Sequence, residues 1–195
     1  AVSDGITMGA GAGVFMACDS RVVTEQTRFA MPEVKIALCP DAGALAFLTR
    51  HCEPAVARFL AVSGYSLNAH DLVTCGLATH FVPTKQDQLV PLLDELSRAP
   101  SGELAVPLSR RSAAAPAHLA TPLFTEPALA ALRKVFGEPA SSVAAAVEKL
   151  DAARAEARKS VGSCGWATRE IAEQVLDILD SAAAAIAAAP PTACQ

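Results

Sequence analysis

A chain of 195 residues, 52% hydrophobic and 18% charged, has the composition of a folded globular protein, long enough to bury a core without staples. Its 16 basic and 20 acidic residues leave a net charge of −4, which argues against a broad nucleic-acid surface but leaves room for a local cationic pocket. No apolar run reaches the roughly 20 residues a membrane span requires, and the alanine run 182–189 is ended by Pro190 and Pro191.

Val2 to Thr7 reads as a short strand, followed by a small-residue turn at Gly9 to Gly13 and a helix through Val14, Phe15, Ala17 and Cys18. The β-branched run Arg21–Thr24 predicts a strand, and Arg28–Met31 a second one. Pro32 ends it, because proline removes a ladder donor. Pro40-Asp41 turns the chain, and Asp41 is expected as the N-cap of a helix through Ala44, Phe47 and Leu48. Residues 53–62 predict the next helix, stopped by Gly64. Asn68, with Asp71 three residues on, predicts a capped helix start. Leu77–Val82 reads as a strand closed by Pro83.

Beyond residue 82 the pattern becomes helical. Helices are expected over 86–97, 126–136, 141–159 and 168–188, with a Pro-, Ser- and Ala-rich loop over 99–125. The last helix carries the clearest apolar stripe: Ile171, Val175, Ile178, Leu179, Ala182 and Ile186.

The chemistry concentrates in residues 3–50. A helix that starts after small residues points free amide N–H groups at one spot, which attracts negative charge. Glycine and alanine let a ligand approach that backbone closely. Tight packing alone would use the same residues. A dinucleotide fingerprint fails, because its third glycine would fall on Val14. Glu33 and Asp41 each follow a break, after Pro32 and Pro40, among apolar neighbours. Carboxylates in such surroundings can divide acid and base work between them.

The other polar residues read as packing or surface. Cys18, Cys39, Cys52, Cys75, Cys164 and Cys194 form no C-x-x-C pair and match no zinc spacing, so reduced, mostly buried thiols are expected. The four histidines show no partner pattern. Ser63 and Ser66 lack the setting of a nucleophile elbow. Arg133, Lys134, Arg154, Arg158 and Lys159 are expected on solvated helix faces.

Three segments together resemble the crotonase (enoyl-CoA hydratase/isomerase) superfamily: Asp4-Gly-Ile-Thr-Met-Gly-Ala-Gly-Ala-Gly13, Thr24-Glu-Gln-Thr-Arg-Phe-Ala-Met-Pro-Glu33, and Pro40-Asp-Ala-Gly43. Within it they look like the 3-hydroxyisobutyryl-CoA hydrolase group. The likeness is dense over residues 3–82 and thin afterwards. It implies an α/β protein, a partial crotonase fold (ββα superhelix) followed by a mainly helical C-terminal region. Residues 1–82 would be the C-terminal half of the crotonase core and 83–195 a helical region. The N-terminal half of the fold, which in the family carries the second oxyanion amide and most coenzyme A contacts, would be absent. The chain opens on Ala1 almost inside a strand, which reads as an internal piece of a longer protein.

The resemblance also implies roles. The backbone N–H of Ala10 would form half an oxyanion hole for a thioester carbonyl. Glu33 would attack the thioester or activate water, and Asp41 would orient water or move a proton. Hydratases of the superfamily usually carry a glutamate where Gly13 stands, which favours hydrolysis over hydration here. The implied reaction is hydrolysis of a short-chain acyl-CoA, in valine catabolism, with no cofactor or metal beyond the coenzyme A of the substrate. The implied partner is that acyl-CoA, with no nucleic acid and no membrane; a homo-oligomer stays open. The implied location is the mitochondrial matrix in a eukaryote and the cytoplasm otherwise. Two alternatives stand: hydratase or isomerase activity, or a non-catalytic homologue. Ala10 and Ala12 stand where the family prefers glycine, and Ala44 and Leu45 follow Gly43 where small glycines are usual.

Overall fold

The computed structural model describes residues 1–36, 38–84, 89–100, 103, 105–163 and 166–188. Cys164, Cys194 and the start expected for the helix at 86–88 lie outside them.

The expected first strand is two strands. β1 (Val2–Ser3) and β2 (Ile6–Met8) are separated by a bend at Asp4-Gly5, where Gly5 adopts φ +137°. A buried polar knot holds the bend. Thr24 Oγ1 donates to Asp4 Oδ1 at 2.6 Å, Thr27 Oγ1 donates to the Ser3 carbonyl at 2.7 Å, and the Ser3 and Thr7 hydroxyls share a 2.6 Å bond. Buried hydroxyls must be paired, so Ser3, Thr24 and Thr27 fix one geometry.

The chain then turns through α1 (Ala10–Met16) into β3 (Val22–Val23) and β4 (Arg28–Ala30). β3 pairs with β1 in parallel, and β4 pairs with β2 in parallel. The chain thus returns alongside itself after about 20 residues, forming one coil of a β-β-α superhelix. A 3₁₀ turn (Pro32–Ile36) follows β4, then α2 (Ala44–His51) and α3 (Pro54–Ser63), which ends on left-handed Gly64. β5 (Leu67–Asn68) pairs antiparallel with β4, leads into α4 (Ala69–Thr74), and β6 (His80–Phe81) pairs parallel with β3. Two small sheets result, ordered β1-β3-β6 and β2-β4-β5. The expected capping box is present: Asn68 Oδ1 accepts from the Asp71 amide and Asp71 Oδ2 from the Asn68 amide.

The helical part contains α5 (Leu89–Arg98), α6 (Ala105–Arg111), α7 (Glu126–Phe136), α8 (Val143–Ser163) and α9 (Trp166–Ala188). Helix α6 replaces part of the expected loop. It buries Leu108 with Leu92, Val22 and Val82 in a small satellite core, and Pro107 is tolerated because it lies in the first turn. Helices α7 and α9 pack on α3, and Leu132, Ile178, Leu179 and Ala182 join the main core. Three basic residues of these helices are paired with acids: Arg133 with Glu53 and with Glu126 of its own helix, Lys134 with Glu156, Arg154 with Asp180.

Candidate active site

Three aromatic rings position the site. Phe29 on β4 lies 6.2 Å from Phe15 on α1 and 6.1 Å, edge-on, from Phe47 on α2, measured between ring centroids. Each ring is buried. Such contacts contribute about 0.5–1.5 kcal/mol each beyond area burial. They lock α1, the end of β4 and α2 around one point.

Helix α1 begins at Ala10, so the small-residue run expected as a turn is the helix itself. Gly9 alone makes the turn, with φ +55°, a conformation that disfavours any side chain. The Gly9 carbonyl accepts from the amides of Ala12 and Gly13, at 3.0 and 3.2 Å. The amides of Ala10 and Gly11 are then first-turn donors without an intrahelical acceptor. Ala10 is exposed.

Glu33 comes to this helix end. A β-carbon placed on Gly9 would lie 3.2 Å from Glu33 Oε1, so the carboxylate sits against Gly9, the residue that opens α1. On its other flank, a β-carbon on Gly64 would meet Pro32 Cα at 3.1 Å and the Met31 carbonyl at 3.3 Å. Two glycines therefore let the 3₁₀ turn close in from both sides. Glu33 is 7% exposed, and its Oε2 is buried with no hydrogen-bond partner among the described residues. A buried carboxylate oxygen without a partner costs stability. Proteins keep such groups where chemistry uses them.

Asp41 joins from the other direction. Its carbonyl accepts from the Ala44 amide at 2.8 Å, with Ala42 at φ +47° and Gly43 at φ +80° between them. This tight turn corrects the expected N-cap. The cap of α2 is Gly43, without a side-chain bond, because two left-handed residues already turn the chain into the helix. The Asp41 side chain is thereby not spent on capping, and the residue is exposed.

The turn packs onto α1: a β-carbon on Gly13 would fall 2.6 Å from both the Cβ and the carbonyl oxygen of Ala42. Gly9 and Gly13 are one helical turn apart, ~6 Å along one face. The structure thus brings Glu33 to Gly9 at the start of α1, and packs Ala42, next to Asp41, on Gly13 of the same helix. Sequence reasoning placed Gly9 in the turn and Gly64 at a helix end, but not against the segment that carries Glu33; nothing signalled the role of Ala42.

Comparison with known proteins decides the family. Residues 1–185 match the model of the enoyl-CoA hydratase/isomerase family. The chain belongs to that family. It is 44% identical over 105 residues to "3-hydroxyisobutyryl-CoA hydrolase, mitochondrial" of Mus musculus, covering 53% of this chain and 26% of that protein. It is 40% identical over 95 residues to "Small ribosomal subunit protein mS47" of Arabidopsis thaliana, covering 49% of this chain and 22% of that protein. A carnitinyl-CoA dehydratase structure from Mycobacterium thermoresistibile superposes with TM-score 0.63 at 25% identity, over 95% of this chain and 50% of that one. This member of the family therefore spans about a quarter of the curated relatives it matches and half of that solved chain. Its fold is a partial crotonase fold with a mainly helical C-terminal region. Among the described residues, no group of three or more His, Cys, Asp or Glu could hold a metal ion, and no helix is long and apolar enough to cross a membrane.

Proposed function

We propose that this chain carries the acid-bearing part of an acyl-CoA thioester hydrolase of the 3-hydroxyisobutyryl-CoA type. The observation that carries the reading is Glu33: a buried carboxylate with an unpaired oxygen, set against Gly9 at the start of α1. The Ala10 N–H stabilises the oxyanion that develops on the thioester carbonyl, a contribution of roughly 3–4 kcal/mol when well aimed. Glu33 either attacks the carbonyl carbon, giving an anhydride that water opens, or takes a proton from the attacking water. Both routes consume one water and release the free acid and the coenzyme A thiol. Asp41, at the exposed rim, orients water or passes a proton to the departing sulfur.

Hydration of an enoyl-CoA is the weaker reading, because Gly13 supplies no second carboxylate and Ala42 fills the space beside it. No cofactor is assigned beyond the coenzyme A of the substrate. The mouse relative's name, which includes the word mitochondrial, supports a mitochondrial location if the source is eukaryotic; the matrix and valine breakdown are part of the proposal. A non-catalytic role draws on one observation, the likeness to mS47.

Product analysis tests the proposal. The complete gene product is given 3-hydroxyisobutyryl-CoA and, separately, crotonyl-CoA. Release of free thiol from the first, without loss of the enoyl chromophore of the second, is the expected result. Hydration of crotonyl-CoA instead establishes the hydratase reading. Inertness toward both, with co-sedimentation with ribosomal subunits, establishes the non-catalytic one.

A further inference from the structure

Two cysteines far apart in the chain meet in the fold. Cys52 is the C-cap of α2 and Cys75 the C-cap of α4. Their amides close the two helices, donating to the Leu48 carbonyl at 2.8 Å and to the Asp71 carbonyl at 3.0 Å. The residues beside them also come together: a β-carbon on Gly76 would lie 3.7 Å from His51 Nδ1. Arg21 fixes this stretch, donating to the Gly76 carbonyl at 3.2 Å and to the Leu77 carbonyl at 2.8 Å. Cys52 is buried in the main core, and the half-buried Cys75 packs on that core. The two thiols are hydrogen-bonded to each other, which holds Cys52 below the ordinary cysteine range and pushes Cys75 above it. The Cys75 thiol also donates to the Leu72 carbonyl at 3.7 Å. The proton therefore stays on Cys75, and Cys52 is the sulfur readier to ionise. Two other described cysteines are placed differently: Cys39 is exposed, and Cys18 donates to the Val14 carbonyl at 3.6 Å.

We propose that Cys52 and Cys75 are an oxidant-responsive site, which forms a reversible disulfide within the chain when the protein meets hydrogen peroxide. The Cys52 sulfur attacks one peroxide oxygen: an S–O bond forms, the O–O bond breaks, and the departing hydroxide leaves as water with the Cys52 proton. The Cys75 sulfur then attacks the Cys52 sulfur: the S–S bond forms, the S–O bond breaks, and the hydroxyl leaves as a second water with the Cys75 proton. The two thiols lose two electrons, and one peroxide takes them. Exchange with two molecules of a small thiol restores both cysteines and yields that thiol's own disulfide. In a reducing compartment the bond is therefore transient. While it lasts, it ties the C-terminal ends of α2 and α4 together around α3 and β5. The pair lies outside the candidate active site, so the inference does not rest on the hydrolase reading.

The test adds hydrogen peroxide to the full chain at low concentration. The protein is then denatured, its remaining thiols are alkylated with iodoacetamide, and tryptic peptides are read by mass spectrometry without reduction. Expected is a link between peptides 51–58 and 59–85, which carry Cys52 and Cys75, with loss of alkylation at both residues. Dithiothreitol added before the alkylation restores it. Cys39→Ser leaves the link in place, and Cys75→Ser abolishes it. The wild-type peptides decide the matter even where a variant fails to fold. Alkylation undiminished at both residues, a link to Cys18, to Cys39 or to a second chain in its place, or irreversible sulfinic acid at either residue each overturns the proposal and leaves the pair as core packing.

Discussion

Gly13 and Ala42 occupy a gap that admits no further atom: a β-carbon on Gly13 would lie 2.6 Å from the Cβ and the carbonyl oxygen of Ala42. The contact holds the Asp41 turn on α1, the helix whose first residue follows Gly9 beside Glu33. It also removes the position from which a second helix-borne carboxylate could act.

Gly13→Ala therefore pushes the Asp41 turn away from α1. The expected cost is about 1–3 kcal/mol, read as a lower denaturant midpoint. Gly13→Glu is expected to do the same without producing enoyl-CoA hydration. A variant that hydrates crotonyl-CoA and remains stable would show that the turn yields readily.

Ala42 itself is strained at φ +47°. Ala42→Gly removes that strain and is expected to raise stability by about 0.5–1 kcal/mol, less what its lost methyl contact contributed. Thermal unfolding measures the difference. Destabilisation would mean that the methyl packing outweighs the backbone strain.

Gly9 is constrained twice, by φ +55° and by Glu33 Oε1 at 3.2 Å from its absent β-carbon. Gly9→Ala is expected to cost about 1–2 kcal/mol and to displace the carboxylate from the helix end. Turnover should fall more than stability explains. A variant with normal turnover would show that this approach is not needed.

Asp71 supports the fold away from the site. Fully buried, it accepts from the Asn68 amide and from Thr121. Burial pushes its carboxyl above the ordinary aspartate range, against the hydrogen bonds of Thr121 and Asn68, which favour the charged form. The folded state then holds the proton more tightly than the unfolded state. This contribution is complete below the unfolded value of 3.8 and is lost as pH rises through the folded value. Wild type should therefore lose stability above about pH 4 relative to Asp71→Asn, by denaturant titration across pH. A constant difference between the two proteins would contradict this. Asp71→Ala strands the buried donors and is expected to cost about 2–4 kcal/mol.

Several local features around the candidate site were legible in the sequence. Glu33 after Pro32 and the small-residue helix start were visible as motifs, and the Asn68–Asp71 capping box as spacing. The break between β1 and β2 was not, because it depends on Thr24 and Thr27 reaching back 20 and 24 residues to Asp4 and Ser3. Asp41 looked like a cap because its residue type and position fit one. The left-handed pair Ala42-Gly43 pre-empted it, and an alanine gives no local sign of that conformation. Helix α6 was hidden by Pro107 and its short length, and is held by the tertiary burial of Leu108.

The account rests on Glu33 being kept buried for chemistry and not for stability. The most direct measurement pairs turnover of 3-hydroxyisobutyryl-CoA with thermal unfolding, for the complete gene product and its Glu33→Gln variant. The amide replaces a buried carboxyl oxygen that has no partner and keeps the shape, so stability should hold or rise while kcat falls by about 10²-fold or more. Unchanged turnover, or a fall that merely follows lost stability, would contradict it.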